Sequence, residues 1–365
     1  MWDVIVVGAG PGGAAAAKTS VELGLKTLIV EKKRLPRDKV CSGVLSGEMA
    51  KTFTRELFGE FPDGVLVPPY YLKGVMVHAH GAESAAVEDE MPIAWRKDLD
   101  YWMVEKAKEQ GAEVLDSAKI VGLSQRKGRY TLTIESKGEK EELDAKFIIG
   151  ADGSVSWLRG FMFPDLKVHH NQQIRECYEG TFPLDRDYLH TFFDTVRKFW
   201  FLVNHKGDSF VLEVSGNLGE TKKLKEKVVK PFLAEKYGFD FNRRPRWTDG
   251  CYNAKFFDEI ISGRFLPAVD NIMLVGDAGG FQLPTGEGIG TALQTGVLAA
   301  SAASDAMKKG LKASDIYIKK TRPIKEFVKE INVLAKKGRF TIAENPQESV
   351  SAIVEMWETS LNPVL

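Results

Sequence analysis

Hydrophobic and polar positions divide the chain into short apolar runs separated by glycine-rich turns and by longer segments of small or amphipathic residues. The first run, Val4 to Val7, is continuously apolar and stops at Gly8. A small-residue stretch containing Ala14, Ala15, Ala16 and Ala17 follows, then a second run, Thr27 to Val30, that stops at Glu31. Two unbroken apolar runs around one helical segment predict a βαβ unit whose strands are buried on both faces. Further on, Gly74–Ala79 and Ser84–Ile93 read as strands, and Lys97–Gln110 reads as a helix stopped by Gly111. Ala118–Ser124, Tyr130–Glu135 and Leu143–Gly150 read as a three-stranded meander. Between Phe161 and Arg264 the stretches Glu176–Phe182, Tyr188–Asp194, Lys198–Val203 and Ser209–Ser215 are strand-like and rich in aromatics, as in a sheet roofing a pocket. A last apolar run, Asn271 to Val275, leads through a glycine-rich loop into a long small-residue helix.

This pattern predicts an α/β protein with a discontinuous organisation. Residues 1–70, 96–160 and 265–305 would form a Rossmann-type cofactor domain, 71–95 and 161–264 an inserted antiparallel-sheet substrate domain, and 306–365 a short helical C-terminal region. A chain of 365 residues suits two lobes. Its 50 basic and 50 acidic residues leave no net charge, which argues against nucleic acid as a partner. Cys41, Cys177 and Cys251 have no C-x-x-C spacing, and the histidines have no ligand-like neighbours, so neither a disulfide framework nor a metal is expected. The chain starts inside a strand and lacks any apolar run of ~18 residues, so a cytoplasmic protein is expected. From Lys308 to Arg339, nine Lys and two Arg face three acids, with Ile324, Phe327, Val328 and Ile331 at roughly helical spacing. Such a surface would attract the anionic inner face of a membrane peripherally, although a solvated helix face is the commoner origin of this pattern.

The candidate chemistry starts at Gly8, Gly10 and Gly13, a G-x-G-x-x-G fingerprint that includes Gly12 and follows directly on a strand. Gly8 permits the tight turn, Gly10 lets backbone approach a phosphate, and Gly13 lets the helix pack on the strand with its first N–H groups aimed at the anion. Glu31, with Lys32 beside it, stands where an acid accepts hydrogen bonds from an adenosine ribose. The fingerprint by itself does not distinguish NAD, NADP and FAD. Two later segments add information: Phe147 to Ser154, a strand ending in Asp152-Gly153, and Asn271 to Ala278, a strand ending in Gly276-Asp277 ahead of Pro284-Thr285-Gly286-Glu287-Gly288-Ile289-Gly290.

In this order and spacing the three motifs resemble the FAD-dependent family that includes aromatic hydroxylases of the p-hydroxybenzoate type, flavin halogenases and geranylgeranyl reductases. The resemblance spans residues 1 to about 305. It implies a Rossmann-type FAD-binding domain, with the pyrophosphate on Gly8, Gly10 and Gly13, the adenosine ribose on Glu31 and the ribityl hydroxyls on Asp277. It also implies that Arg96 faces the cofactor, and that Gly286, Glu287 and Gly288 lie beside the isoalloxazine with the helix from Ile289 stabilising negative charge at N1 and the C2 carbonyl. Lys39-Val40-Cys41-Ser42-Gly43-Val44-Leu45-Ser46 is similar to the Lys-x-Cys-Gly-Gly-x-x-Ser stretch of geranylgeranyl reductases, which passes close to the flavin and makes Cys41, Ser42 and Gly43 candidate contacts.

The chain departs from that branch at the Tyr-x-Trp-x-Phe-Pro segment that contacts isoprenoid. Alignment on Lys206-Gly207-Asp208 puts Trp200, Leu202, Asn204 and His205 at its four defined positions, and none is identical. The halogenase signature Trp-x-Trp-x-Ile-Pro fails at the same place. Phe192, Phe193, Phe199, Trp200 and Phe201 are candidates for an apolar cavity wall, of which strand alternation lets only one set face the pocket. The expected activity is FAD-dependent reduction of carbon–carbon double bonds in a hydrophobic, isoprenoid-like substrate, with Cys41, His205 and Trp200 as candidate catalytic residues. The electron donor, NAD(P)H or reduced ferredoxin, would bind transiently, since no second glycine fingerprint is present. An FAD monooxygenase and a non-catalytic flavoprotein or electron carrier are the alternatives.

Overall fold

The computed structural model describes residues 1–126, 128–194, 199–341 and 345–363. In chain order the elements are β1 (Trp2–Val7), α1 (Pro11–Glu22), β2 (Thr27–Val30), α2 (Glu48–Phe58), β3 (Leu66–Ala79), β4 (Ala85–Ala94), α3 (Arg96–Gln110), β5 (Glu113–Leu115), β6 (Ala118–Arg126), β7 (Arg129–Ser136) and β8 (Glu139–Gly150). They continue as α4 (Trp157–Met162), β9 (His169–Glu179), β10 (Tyr188–Asp194), β11 (Phe199–Lys206), β12 (Ser209–Asn217), α5 (Thr221–Leu224), α6 (Lys230–Tyr237), β13 (Trp247–Lys255) and α7 (Phe257–Ile261). The last elements are β14 (Ala268–Val269), β15 (Ile272–Leu274), α8 (Ile289–Lys309), α9 (Ala313–Lys320), α10 (Arg322–Thr341) and α11 (Pro346–Leu361).

Parallel pairing of β15, β8, β1, β2 and β5 forms the first sheet, with β14 antiparallel at one edge and the β6–β7 meander leaving β8. Val4, Ile5, Val6, Ile148 and Ile149 are fully buried, as unbroken apolar strands covered on both faces must be. β1 lies between β2 and β8, so its C-terminal end is a switch point of the sheet, where open α/β sheets leave a crevice. Helices α1 and α8 cross over this sheet at backbone contact. A Cβ at Gly296 of α8 would lie 2.4 Å from the Gly12 carbonyl oxygen of α1, which explains why both helices are built from small residues.

The second sheet has the order β13-β9-β12-β11-β10-β3-β4 and is antiparallel except between β10 and β3. Its two faces differ in use. Phe192, Phe201, Val203 and Phe210 pack with Val229, Leu233 and Phe239 in one apolar cluster. Trp200 and Leu202, and Phe193 opposite Trp200, belong to the other face. Of the candidate wall aromatics, Phe193 and Trp200 therefore face the cavity side, Phe192 and Phe201 are sheet core, and the side chain of Phe199 lies outside the described residues.

Three features of this region have no strong signal in the sequence pattern. β9 starts at His169, ahead of the expected Glu176, and β13 is an edge strand whose sequence, Trp-Thr-Asp-Gly-Cys-Tyr-Asn-Ala-Lys, shows no apolar alternation. The segment from Thr221 to Tyr237 is helical, with a π-helical turn, Lys225–Val229, ahead of Pro231. A proline within a lysine-rich run hides a helix from periodicity.

The C-terminal helices turn their apolar stripe inward. Ile324, Phe327, Val328 and Ile331 of α10 are buried with Val350, Ile353, Met356 and Trp357 of α11 against β3 and β4, while Lys329 and Lys336 stay exposed. The apolar residues that would enter a lipid surface are thus used in the core. No described helix is long and apolar enough to cross a membrane. Ile331→Ala is expected to destabilise the protein by about 2–5 kcal/mol, and Lys329→Ala to change stability by less than about 0.5 kcal/mol, measured by urea unfolding. Similar effects of the two substitutions would place the stripe outside the core.

Candidate cofactor and substrate site

A cavity of 660 Å³ follows the C-terminal ends of β1, β2, β8 and β15 and continues to the start of α8. Each glycine of the first turn has its own reason to be glycine. Gly8 has a φ of +105°, and a Cβ there would lie 2.4 Å from the Ala151 carbonyl oxygen. A Cβ at Gly13 would strike the Gly8 carbonyl oxygen at 1.9 Å, and one at Gly12 would meet the Ala292 carbonyl oxygen at 2.9 Å. Gly10 alone faces open space, with only Arg37 Nη2 within reach, at 3.6 Å. No side chain caps α1, and its first turn holds no acid. Its unsatisfied N–H groups therefore open onto the cavity beside a guanidinium, which is the donor set a diphosphate requires.

Glu31 is buried at the end of β2. Its Oε2 accepts the Ala9 N–H at 2.9 Å, its Oε1 accepts the Lys33 N–H at 2.9 Å, and Arg37 Nε lies 3.2 Å from Oε2. A carboxylate offers about four acceptor positions, so a ribose hydroxyl still finds room. Arg37 also reaches Asp100 at 3.2 Å, and Arg96, the first residue of α3, grips the same Asp100 through Nε at 2.7 Å and Nη2 at 3.0 Å. Arg96 is buried and held firmly charged by Asp100.

Opposite Arg96 lies the Cys41–Gly43 loop. Burial opposes ionisation of Cys41, yet Arg96, Arg175, the Gly43 N–H at 3.5 Å and Lys39 together bring the thiol below its usual range. Gly43 has a φ of +69° and lies so close to the Ala94 carbonyl oxygen that a Cβ would come within 1.9 Å. The loop is tied to the second sheet by Lys206 of β11, whose Nζ donates to the Ser42 carbonyl at 2.7 Å and stands 4.1 Å from the Trp95 ring. Burial, with Arg175 and Arg96 nearby, pushes Lys206 down to about 7. Arg175 of β9 is itself paired with Glu213 of β12, and both side chains line the cavity.

At the other end, Asp277 and Gly276 lie on the turn after β15, where Gly276 has a φ of +53° and donates its N–H to Thr295 Oγ1 at 3.0 Å. Gly286, with a φ of +89°, would bring a Cβ within 3.6 Å of the Trp200 ring. The Glu287 carboxylate turns back onto α8, accepting the Ile289 N–H at 2.7 Å and the Gly290 N–H at 2.9 Å. Burial pushes this group up to about 8, with Cys41 and Asp277 adding to the rise and the two amides opposing it. The Asp152 carboxylate points at α4, where it accepts Ser156 Oγ at 2.6 Å and the Leu158 N–H at 3.1 Å, so much of its capacity goes to starting that helix.

Of the residues singled out in the sequence, Gly8, Gly10, Gly12, Glu31, Lys32, Cys41, Ser42, Arg96, Asp152, Trp200, Gly276, Asp277, Gly286, Gly288 and Ile289 line this one cavity. Gly13 and Gly43 stand behind its wall as packing glycines. His205 does not join them. It projects to the opposite face of β11, where its Nε2 accepts the Phe182 N–H at 2.9 Å, its ring packs edge-on to Phe210, and burial pushes it down to about 4. Its expected catalytic role is corrected to a core position. Strand alternation carried this signal: residues 201, 203 and 205 share one face, and 200, 202, 204 and 206 the other. Lys206 was thus legible on the cavity face, whereas Arg37, Arg175 and Glu213 become visible only once separate elements are brought together.

A parallel sheet, an open helix N-terminus at its switch point and an acid at the second strand define a dinucleotide-binding protein. A family model described as FAD binding domain matches residues 1–217, more than half of the chain, and the protein belongs to that family. It is an FAD-dependent oxidoreductase, and the proteins it is similar to include geranylgeranyl reductase-like ones. The digeranylgeranylglycerophospholipid reductase of Methanocaldococcus jannaschii is 27% identical over 320 residues, covering 84% of this chain and 78% of that protein. The protein of the same name from Methanococcus vannielii is 26% identical over 313 residues, covering 82% and 75%. Among solved structures, a geranylgeranyl bacteriochlorophyll reductase-like protein from Thermoplasma acidophilum superposes with a TM-score of 0.76 at 20% identity, covering 100% of this chain and 93% of that one. The flavin-dependent halogenase CmlS superposes with a TM-score of 0.75 at 17% identity, covering 96% and 67%. At such identities the structural likeness is one of fold.

The buried lysine has a consequence for stability. Below about pH 7 Lys206 is charged in both folded and unfolded chains, and the folded state bears the full cost of burying that charge. Between about 7 and the 10.5 of a free lysine the unfolded chain binds the extra proton, so this contribution to stability rises with pH. Lys206→Met is expected to abolish that rise, measured as the difference between wild-type and variant urea midpoints from pH 6.5 to 10. A constant difference across the range would mean that Lys206 is not held in a low-dielectric site.

Proposed function

We propose that the protein reduces carbon–carbon double bonds of a chain-like, isoprenoid-type lipid, using FAD in the cavity described above. One observation carries this reading. The cofactor cavity ends against a second cavity of 2010 Å³, and the two share Gln173, Trp200, Asn253, Asp277, Gln282, Thr285, Gly286 and Trp357. The larger space has an apolar stretch of wall, with Phe193, Trp200, Ile353, Met356 and Trp357, and the exposed Lys167, Lys223 and Lys227 outnumber the exposed acids Glu220 and Asp258 along its border. Such a space suits a long apolar chain whose polar end stays at a basic mouth. The names of the digeranylgeranylglycerophospholipid reductases support the same substrate class.

When bound, FAD supplies a hydride from N5. The open N-terminus of α1 and Arg37 would hold the pyrophosphate, Glu31 the adenosine ribose and Asp277 the ribityl chain, which leaves the ring end at Gly286 and Trp200. Leu189, Leu202 and Trp200 would keep water from that end, since all three line the cofactor cavity. With hydride supplied to one alkene carbon, the Cys41 Sγ–H would give its proton to the other. Arg96 and the Gly43 N–H stabilise the thiolate left behind, which is why a lowered thiol pKa suits this donor. The electron donor, NAD(P)H or reduced ferredoxin, binds transiently.

Anaerobic chemical reduction of the loaded protein, followed by rapid mixing with an isoprenoid alkene or with air-saturated buffer, tests this reading. Fast reoxidation by the alkene, with a product heavier by two hydrogen atoms, is the expected result. Fast reoxidation by oxygen, with an oxygenated product and no saturated one, would replace the reductase by a monooxygenase. Cys41→Ala is expected to slow alkene reduction by about 10²–10⁴-fold while the bound-flavin absorbance is retained. Full turnover by this variant would remove Cys41 as the donor.

A further inference from the structure

We propose that Glu287 is a built-in competitor for the flavin ring: its carboxylate holds the first amides of α8 and must release them for FAD to bind. This inference rests on FAD as the cofactor and is independent of which substrate is reduced.

The geometry of the loop supports it. α8 is a 21-residue helix whose N-cap is Gly288, a residue without a side chain to cap it. Glu287 supplies the missing acceptor through both oxygens, to Ile289 and Gly290. The loop that presents it is closed on itself, since the Leu283 N–H donates to the Glu287 carbonyl at 2.8 Å and the Gly286 N–H to the Leu283 carbonyl at 3.0 Å. Glu287, Gly286, Gly288 and Ile289 all line the cofactor cavity. FAD is elongated, and the diphosphate donors at α1 and the acid at Glu31 occupy the other end of this cavity. The ring must then lie at the start of α8, and that helix end can satisfy one anionic acceptor at a time: the Glu287 carboxylate or the polar edge of the ring.

The charges around Glu287 make its hold on the helix weak. Asp277, on the turn after β15, and Cys41, on the loop ahead of α2, both disfavour a carboxylate there. Of the cations that line the same cavity, Arg96 of α3 is committed to Asp100, Arg37 to Glu31 and Asp100, and Arg175 of β9 to Glu213, while Lys32, Lys33 and Lys39 make no ion pair with Glu287. Lys206 of β11 stands behind the loop on the Ser42 carbonyl. Among the described residues Glu287 has no ion pair. Its carboxyl, pushed up to about 8, is neutral in much of the protein at neutral pH and then competes poorly. Above that value the carboxylate forms, closes the helix end, and lowers the fraction of protein competent to bind the ring.

Titration of the apoprotein with FAD, read by flavin fluorescence from pH 6 to 9.5, tests the proposal in wild type, Glu287→Gln and Glu287→Ala. The wild-type Kd is expected to rise above about pH 8, approaching tenfold per pH unit, as linkage to one proton requires. Both variants are expected to bind FAD more tightly than wild type at pH 9 and to lose that rise, while titration of Lys206 and Cys41 remains common to all three. Calorimetry at pH 8 in two buffers of different ionisation enthalpy should show proton uptake on FAD binding by wild type and less by the variants. Identical Kd values and pH profiles for wild type and Glu287→Gln would overturn the proposal, as would weaker FAD binding by both variants, which would make Glu287 a ligand of the cofactor. The wild-type pH profile and proton uptake need no variant, so a misfolded substitution does not leave the question open.

Discussion

The structure depends on a meeting of backbones without side chains between them. Gly8 lies against Ala151, Gly13 against Gly8, Gly12 against Ala292, and Gly296 against Gly12, so that β1, β8, α1 and α8 approach at backbone distance. Only this approach brings the uncapped start of α1 to the switch point of the sheet, where its N–H groups face open space at Gly10. An alanine at any of these packing glycines would separate the elements by about a Cβ radius, and both helix ends that open onto the cavity would shift with them. The parallel pairing of β8, β1 and β2 then places the second acid, Glu31, and the later turns at Asp152 and Asp277 along one edge without further instruction.

The second constraint is electrostatic, and it joins the two sheets. Arg96, Arg37, Glu31 and Asp100 form a buried alternating array within the first lobe. Arg175, Glu213 and Lys206 come from β9, β12 and β11 of the second sheet, and Lys206 has the Ser42 carbonyl and the Trp95 ring as its partners. A buried ammonium held by a carbonyl and an aromatic face gains less than one held by a carboxylate, so burial, with Arg175 and Arg96 nearby, prevails and the proton is easily lost. Its hold on the Cys41–Gly43 loop nevertheless fixes where the Cys41 thiol stands relative to the second sheet. The positive surroundings that depress Lys206 are the ones that favour the Cys41 thiolate, so one cluster sets the protonation of both.

Much of the cofactor side was legible in the sequence because its signals are local. Glycine spacing, a strand ending in an acid and a strand ending in Gly-Asp each fit within a few residues, and the chain brings them together by the simplest parallel topology. The substrate side depends on contacts between β9, β11, β12 and loops far away in sequence, so Arg175, Glu213 and the extent of β13 had no local signature. His205 shows a different failure. Its chemistry drew attention, yet the period of two places it with Phe201 and Val203 in the aromatic core, and places Lys206 with Trp200 and Leu202 toward the cavity. Period outweighs residue chemistry wherever a strand has one buried and one functional face.

The C-terminal region completes the chamber and does not act as an appendage. Trp357 of α11 borders both cavities, and Ile353 and Met356 line the larger one, while the stripe of α10 anchors α11 against β3 and β4. Burying that stripe changes what the lysines of α10 can do. A basic amphipathic helix binds lipid by inserting its apolar face, and here that face is already packed, so any attraction to an anionic surface would come from charge alone, about 1 kcal/mol per lysine. Charge acting across a Debye length of about 8 Å at physiological salt brings a protein near a membrane without embedding it. A lipid substrate, as proposed, would then have to leave the bilayer to enter the cavity, whose border carries Lys167, Lys223 and Lys227 as well as Lys336 of α10, the last of them paired with Asp258.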